Sequence, residues 1–384
     1  MFKTIVFVEG AETEHLYPLT LTRPVGELRC GIRTLSEKWR GVFPDCHTGY
    51  QTRQHLQVKY PEPEGDRDVL FLNPSFLPSD ALAEAVRKLK PNEGLFKDGE
   101  PIAVRGRKTP ETEHQYTGEV TRIFHPWDLF SRNGEAMAYD FAALTRGRTS
   151  AALPSSCTVI GDDIFVEEGV DAECATFNTK SGPIYLDRNS TVMEGCNVRG
   201  GFYLGEHSTL KMGAKIYGPT TIGPHCKVGG EVNNSVVQGY SNKGHEGFLG
   251  NSVLGEWCNI GADSNNSNLK NNYADVRVWS MAKKTFVKTG LQFCGLIMGD
   301  HSKCGINTMF NTGTVVGVSA NIFGSGFPRN YIPSFSWGGA AGFSEYKMDK
   351  ALETAALVME RRSIDLDETE KAILRWVKDN HGGV

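Results

Sequence analysis

LDRNSTVMEGCNVRGGFYLGEHSTLKMGAKIYGPTTIGPHCKV, residues 186–228, carries an apolar residue at every sixth position: Leu186, Val192, Val198, Leu204, Leu210, Ile216, Ile222 and Val228. The beat resumes in a second phase at Phe248, Leu254 and Ile260, and in a third at Met298, Cys304, Phe310, Val316 and Ile322. Small residues often follow it, as in Leu204-Gly205, Ile222-Gly223, Ile260-Gly261 and Cys304-Gly305. An α-helix repeats at about 3.6 residues and a strand at about 2, so neither explains this period. A parallel β-helix does: each short strand turns one apolar residue inward, then rounds a corner where a small side chain fits. In a chain that is 39% hydrophobic, a run of that length in register defines a fold. It defines a core rather than a site, so chemistry is expected where the beat fails.

Outward from this stretch, composition sets limits. The 384 residues suffice for two or three separate cores. A net charge of -4, without any run of Lys and Arg, argues against a nucleic-acid partner. The nine cysteines form no CxxC pairs, and Cys196, Cys226, Cys258 and Cys304 fall in or beside the beat as small fillers. Reduced thiols of a cytoplasmic protein fit this pattern better than disulfides or zinc, and the sequence assigns no metal ligands. The opening MFKTIVFVEG reads as a first strand, and no stretch approaches the roughly 18 apolar residues of a membrane span, so neither secretion nor a membrane is expected.

Residues 1–150 read as a small α/β domain. Apolar runs at Thr4–Val8 and Val69–Leu72 alternate with helical patterns, one carrying Leu35 and Trp39 and another N-capped by Ser79 with Leu82, Val86 and Leu89 on one face. Residues 151–330 form the β-helix, interrupted around 231–247 and 263–290 by Asn/Gly-rich stretches expected to leave the coil. Residues 331–384 begin with a Gly-rich link, SWGGAAGF (336–343), and continue as two helices. The first carries Met348, Leu352, Ala355 and Met359; the second opens with Asp367 and Glu370 at capping-box spacing and carries Ile373, Trp376 and Val377. Their expected role is to cover an end or a side of the coil.

The segment NKGHEGFLG (242–250) falls between two phases of the beat. Its histidine, His245, is the side-chain type that can act as a neutral base near pH 7. Farther on lies a run of amides, Asn265, Asn266, Asn268, Asn271 and Asn272. Such a run can bind sugar hydroxyls or simply satisfy turn geometry.

Together these residues resemble a known family. GHEGFLGNSVLGEWCNIGADSNNSNLKNNY (244–273) is similar to the acetyltransferase domain of the bifunctional GlmU family, which acetylates glucosamine-1-phosphate and then uridylylates it. His245 with Phe248-Leu249-Gly250 resembles its catalytic H-x-x-Y-x-G motif, Gly261-Ala262-Asp263 resembles G-A-G, and Asn268 matches its substrate-binding Asn. CGINTMFNTGTVVG (304–317) resembles the last regular coils of that domain. The resemblance implies a left-handed parallel β-helix of hexapeptide repeats that forms a homotrimer, with His245 taking a proton from the sugar amine as it attacks acetyl-CoA. It further implies that Ala262, Ile306, Phe323 and Gly324 line the pantetheine arm, and that Lys243, Phe248 and Asn268 contact the substrate. The chain departs from the family at Phe248, where a Tyr is usual, and in the spacing of Lys243 from the histidine.

The first domain resembles the nucleotidyltransferase signature at GAETEHLYPLTLTRP (10–24), but only its second half matches closely. Glu9, Glu12 and Glu14 crowd the phosphate loop, His15 stands at an Arg position, Val25 replaces a lysine, and Ser75 replaces the magnesium-binding Asp. Carboxylates repel a triphosphate by about 1 kcal/mol or more at close range. Arg23, Arg29 and Arg33 offer either a substitute phosphate site or partners for nearby glutamates. The expectation is an acetyl-CoA-dependent N-acetyltransferase acting on an amino-sugar phosphate or nucleotide amino sugar. Mg2+ is needed only if nucleotidyl transfer is retained. The rival readings are a bifunctional enzyme and a non-catalytic sugar-nucleotide scaffold.

Overall fold

The computed structural model describes residues 2–63 and 68–383. From Thr158 to Ile332 the chain winds as a parallel β-helix whose short strands stack into three faces. The beat sets the register: Leu186 pairs with Leu204 and Leu204 with Ile222 on one face, Val192 with Leu210 and Leu210 with Val228 on the next, and Val198 with Ile216 on the third. Their side chains meet in one continuous core with Phe177, Leu254, Met298 and Ile322. Burying each such aliphatic side chain contributes roughly 1.5–3 kcal/mol. The glycines after the beat are required by packing. A Cβ on Gly223 would lie 1.6 Å from the Gln238 carbonyl oxygen, and one on Gly261 2.4 Å from the backbone of Gly305.

The first interruption stays in the coil, contrary to expectation. Val228 pairs with Lys243, fifteen residues on instead of eighteen, and Ile222 pairs with Val237. Val232 and Val237 keep the core filled, so shortened corners absorb the change. The second interruption leaves only in part: Asn265–Asn266 still pairs with Met309–Phe310, but Leu254 pairs next with Met298, and the intervening chain departs as an antiparallel hairpin, Arg277–Ser280 with Thr285–Lys288, whose Val278 packs where the coil meets the first domain. The link at 336–343 is also corrected. Ser336–Gly339 continues the groove-side ladder beside Asn321–Ile322, then turns back on Gly342–Glu345 to close the end of the coil. Gly338 and Gly342 take φ of 146° and 134° there, backbone that disfavours other residues.

The α/β domain has a six-stranded mixed sheet, with Thr4–Val8 between parallel neighbours His47–Gln51 and Val69–Leu72. Helices Leu35–Val42, with a full capping box from Thr34 and Glu37, and Asp80–Arg87, capped by Ser79, pack Trp39, Leu82 and Val86 onto it. This domain docks on the nine-stranded face of the coil, where Val236, Val253, Ile297 and Val315 meet Leu19, Leu28 and Phe130.

Helices Met348–Glu360 and Glu368–His381 lie along the side of the coil, packing on Trp257, Val318 and Phe335 and on Leu21 of the first domain. Trp376 stacks on His55 at 3.4 Å, and Lys59 pairs with Glu370, so the tail joins both domains. The remaining face, six strands from Thr158–Ile160 to Phe248–Gly250, is covered by neither and shows Tyr217 at 44% exposure. All nine cysteines are unpaired thiols. Among the described residues no helix is long and apolar enough to cross a membrane.

Candidate active site

Between the ten-stranded face, which carries Val192, Leu210 and Val228, and the end of helix Met348–Glu360 runs a groove of about 640 Å³. One edge is a corner of the coil at which small residues stack: Gly244-His245, Gly261-Ala262 and Gly305-Ile306. His245, Ala262 and Ile306 all line it, with His245 and Ile306 exposed. Phe323-Gly324 continues the same corner one coil farther, where the Phe323 ring meets Trp337 edge-on at 5.2 Å, and neither residue belongs to the groove wall.

The opposite corner was not legible in the beat. His207, His225, Tyr240, Trp257 and His301 each adopt a left-handed backbone, φ 53–61°, and their rings stack in a column. Bulky side chains seldom accept that conformation. Stacking and burial offset its cost here, and Tyr240 and Trp257 present ring surface to the groove. The signal was an aromatic recurring once per coil.

The groove is cationic. Among the described residues, Lys211, Lys227, Lys303, Arg361 and Arg362 line it, and no carboxylate does. Burial first, then Arg362, Lys211 and Arg361, push the Lys227 amine below its usual range. Burial holds Lys303 down to about 8, and its ammonium donates to the His301 carbonyl at 2.9 Å. The Lys227 shift marks positive potential without a fixed counter-charge, whereas that of Lys303 is the cost of burial.

Several residues proposed from sequence lie elsewhere. Lys243 occupies the inward core position between Val228 and the following coil, 3% exposed. Its ammonium donates to the carbonyls of Gly229 at 3.0 Å and His245 at 2.6 Å, so it holds the His245 loop and reaches no substrate. Burial lowers it to about 8. Asn268 donates to Asn251 at 2.8 Å and, with Phe248, adjoins Gly250 on the uncovered face, outside the groove. Most of the amide run is structural. Asn265 accepts from the Phe248 N–H and Asn266 bonds both N–H and carbonyl of Gly250, supplying the ladder partners that the departing chain withholds.

The arginine phosphate site is corrected outright. Arg23, 5% exposed, bridges Glu256 at 2.6 Å and Asp300 on the coil. Arg29 faces Glu37 and the Ile32 carbonyl, and Arg33 pairs with the buried Asp140 at 2.8 Å. Each guanidinium is spent on a carboxylate or carbonyl at a different place. The phosphate loop is likewise occupied by its own acids: Glu12 accepts from Gly10 and pairs with Arg122, and Glu9 accepts from Val25 and Thr52. Carboxylates already engaged by backbone N–H groups, a hydroxyl and Arg122 do not fit a magnesium ion.

The family model described as sugar nucleotidyl transferase matches residues 5–149. No curated protein matches the chain. Among solved structures, the polySia specific acetyltransferase NeuO is 13% identical, with 55% of this chain and 99% of that chain covered and a TM-score of 0.27. An Arabidopsis UDP-N-acetylglucosamine acyltransferase is 13% identical over 59% of this chain and 96% of its own, at TM-score 0.23. The enzyme of that name from Campylobacter jejuni is 13% identical over 60% and 97%, at 0.18. These scores are too low to argue from.

Proposed function

We propose that residues 151–330, behind a domain at 1–150 and ahead of helices at 331–384, transfer an acyl group from acetyl-CoA to the amine of an amino-sugar phosphate or nucleotide amino sugar. The observation that carries this reading is the groove: among the described residues it pairs an exposed histidine with five cations, two aromatic edges and no carboxylate. A CoA thioester combines phosphates, which the Lys and Arg side chains favour, with an adenine ring that the edges of Tyr240 and Trp257 can meet edge-to-face. Along the Ala262 and Ile306 edge the acyl end would run toward His245. The amine nitrogen attacks the thioester carbonyl, His245 takes the ammonium proton, and the thiolate leaves. Replacing His245 by Ala lowers acetylation roughly 10²–10⁴-fold without unfolding the chain. A near-native rate, followed as thiol release, removes His245 from the mechanism.

Assembly belongs to the same reading. Asn268 and Phe248 sit on the uncovered face, apart from the groove, so they contact the same substrate only if another copy brings its own face alongside. Light scattering is expected to give three times 42.2 kDa. A monomer at micromolar concentration removes both residues from the site. The match of residues 5–149 to a sugar nucleotidyl transferase family supports a second reading, with nucleotidyl transfer in the first domain. Pyrophosphate release from UTP and a sugar 1-phosphate separates the two.

A further inference from the structure

A second concentration of uncompensated positive charge lies away from the groove, where the loop at His15, the segment His125–Trp127 and the projecting hairpin meet. They enclose a cavity of about 90 Å³, several times the roughly 10–15 Å³ that one water molecule requires. Its floor is rigid and apolar, from Val278, Ile297 and Val315, all nearly fully buried. Among the described residues, the walls carry His15, His125, Lys283 and Lys288, and no carboxylate. The two imidazoles stand edge-on at 5.3 Å, His125 lies flat on Trp127 at 4.3 Å, and His15 tilts against Phe124 at 4.7 Å. Among the described residues, no protein group hydrogen-bonds a ring nitrogen of either histidine, so these donors are open to a ligand.

The electrostatics agree with the geometry. Burial, then Lys283, hold His15 below its usual range against the opposing pull of Glu14 and Glu12. Burial, then His15 and Lys283, push His125 to about 4. Glu12 is already engaged by Arg122. His15 also borders a second, wider cavity of about 450 Å³ whose wall is polar, with Thr13, Gln51, Thr52 and Arg53 beside the carboxylates of Glu9 and Glu14, which can accept from hydroxyls.

We propose that the smaller cavity binds the phosphate of a small hydroxylated phosphate ester. Lys283 and Lys288 supply the charge, the two imidazole N–H groups donate, and the hydroxylated remainder extends into the wider cavity. This site shares no residue with the groove and does not depend on the acyl-transfer reading. It draws its lysines from the coil and its histidines from the first domain, so the ligand would bind only the docked pair.

Calorimetry on the full chain tests this with three probes: inorganic phosphate, glucose 1-phosphate, and glucose as the uncharged control. The ester is expected to bind more tightly than phosphate, and glucose not at all. Joint replacement of Lys283→Ala and Lys288→Ala weakens ester binding at least about ten-fold, in line with loss of charge-assisted contacts. Lys284→Asn, on the same turn but outside the cavity wall, leaves binding unchanged, as does joint replacement of Lys227→Ala and Arg361→Ala in the groove. The site is refuted if neither phosphate probe binds at millimolar concentration, if the double lysine variant binds like the wild type, or if Lys284→Asn weakens binding equally. Loss of the signal in the groove variant would place the phosphate there instead. Equal affinity for phosphate and ester would eliminate the role given to the wider cavity.

Discussion

Two cationic regions flank the same coil, and they use charge in opposite ways. Where the α/β domain meets the nine-stranded face, Arg23 is buried between Glu256 and Asp300, Thr22 donates to Asp300 at 2.7 Å, and Asp300 accepts from the Glu256 N–H at 2.8 Å. Every charge there is answered within the fold. In the groove on the next face, Lys227 and Arg361 stand open to solvent beside the half-buried Lys211, with no acid along the wall among the described residues. Burying an unpaired charge costs several kcal/mol, so a paired cation belongs to architecture. A cluster left unpaired at a concave surface is available to an anionic ligand instead. The arginines that sequence offered as a phosphate site belong to the first kind, and the lysines and arginines that it did not single out belong to the second.

The sharpest way to break this contrast is at Arg23. Replacing it by Ala strands Asp300 in the interface and is expected to cost about 3–5 kcal/mol in denaturant unfolding. A loss below about 1 kcal/mol would mean that the interface charges are not coupled as described. The groove should respond in the other sense. Joint replacement of Lys227→Ala and Arg361→Ala is expected to raise the KM for acetyl-CoA roughly 10–100-fold with kcat little changed, because uniform binding is what is lost. Its unfolding midpoint should stay at the wild-type value. A lowered midpoint with unchanged KM would make these cations structural too.

Lys243 sharpens the comparison from inside the core, where a cation is paired only with carbonyls. Its folded pKa, about 8, lies below the unfolded value of 10.5, so the unfolded chain holds the extra proton between those limits. Stability gained from deprotonation is therefore absent below pH 8 and grows as pH rises toward 10.5. Measured against Lys243→Met, which removes the titration, the wild type should gain roughly 3 kcal/mol across that window. A difference that stays flat with pH would show the ammonium to be fully solvated by its two carbonyls.

What was legible in the sequence was local. The beat from Leu186 to Val228, the Ser79 cap and the Asp367 cap on Glu370 each depend on residues within one turn or one strand, and the structure shows each in place. The misread segments were those whose duty is set by neighbours one coil away. Val232 and Val237 fill the core through shortened corners, Gly338 and Gly342 serve a hairpin rather than a linker, and Asn265 and Asn266 complete a ladder from their side chains.

By itself, then, the sequence determined a solenoid, because an inward residue at every sixth position satisfies a parallel ladder wherever the coil begins. It also singled out His245, because a titratable side chain at a break in the repeat is freed from core duty. Only the tertiary structure decided which charges are free. Arg23 finds Glu256 and Asp300 more than two hundred positions along the chain, whereas Lys227 and Arg361, also far apart in sequence, meet across a groove with no acid between them. Coulombic pairing depends on distance in space, and spacing along the chain carries no record of it.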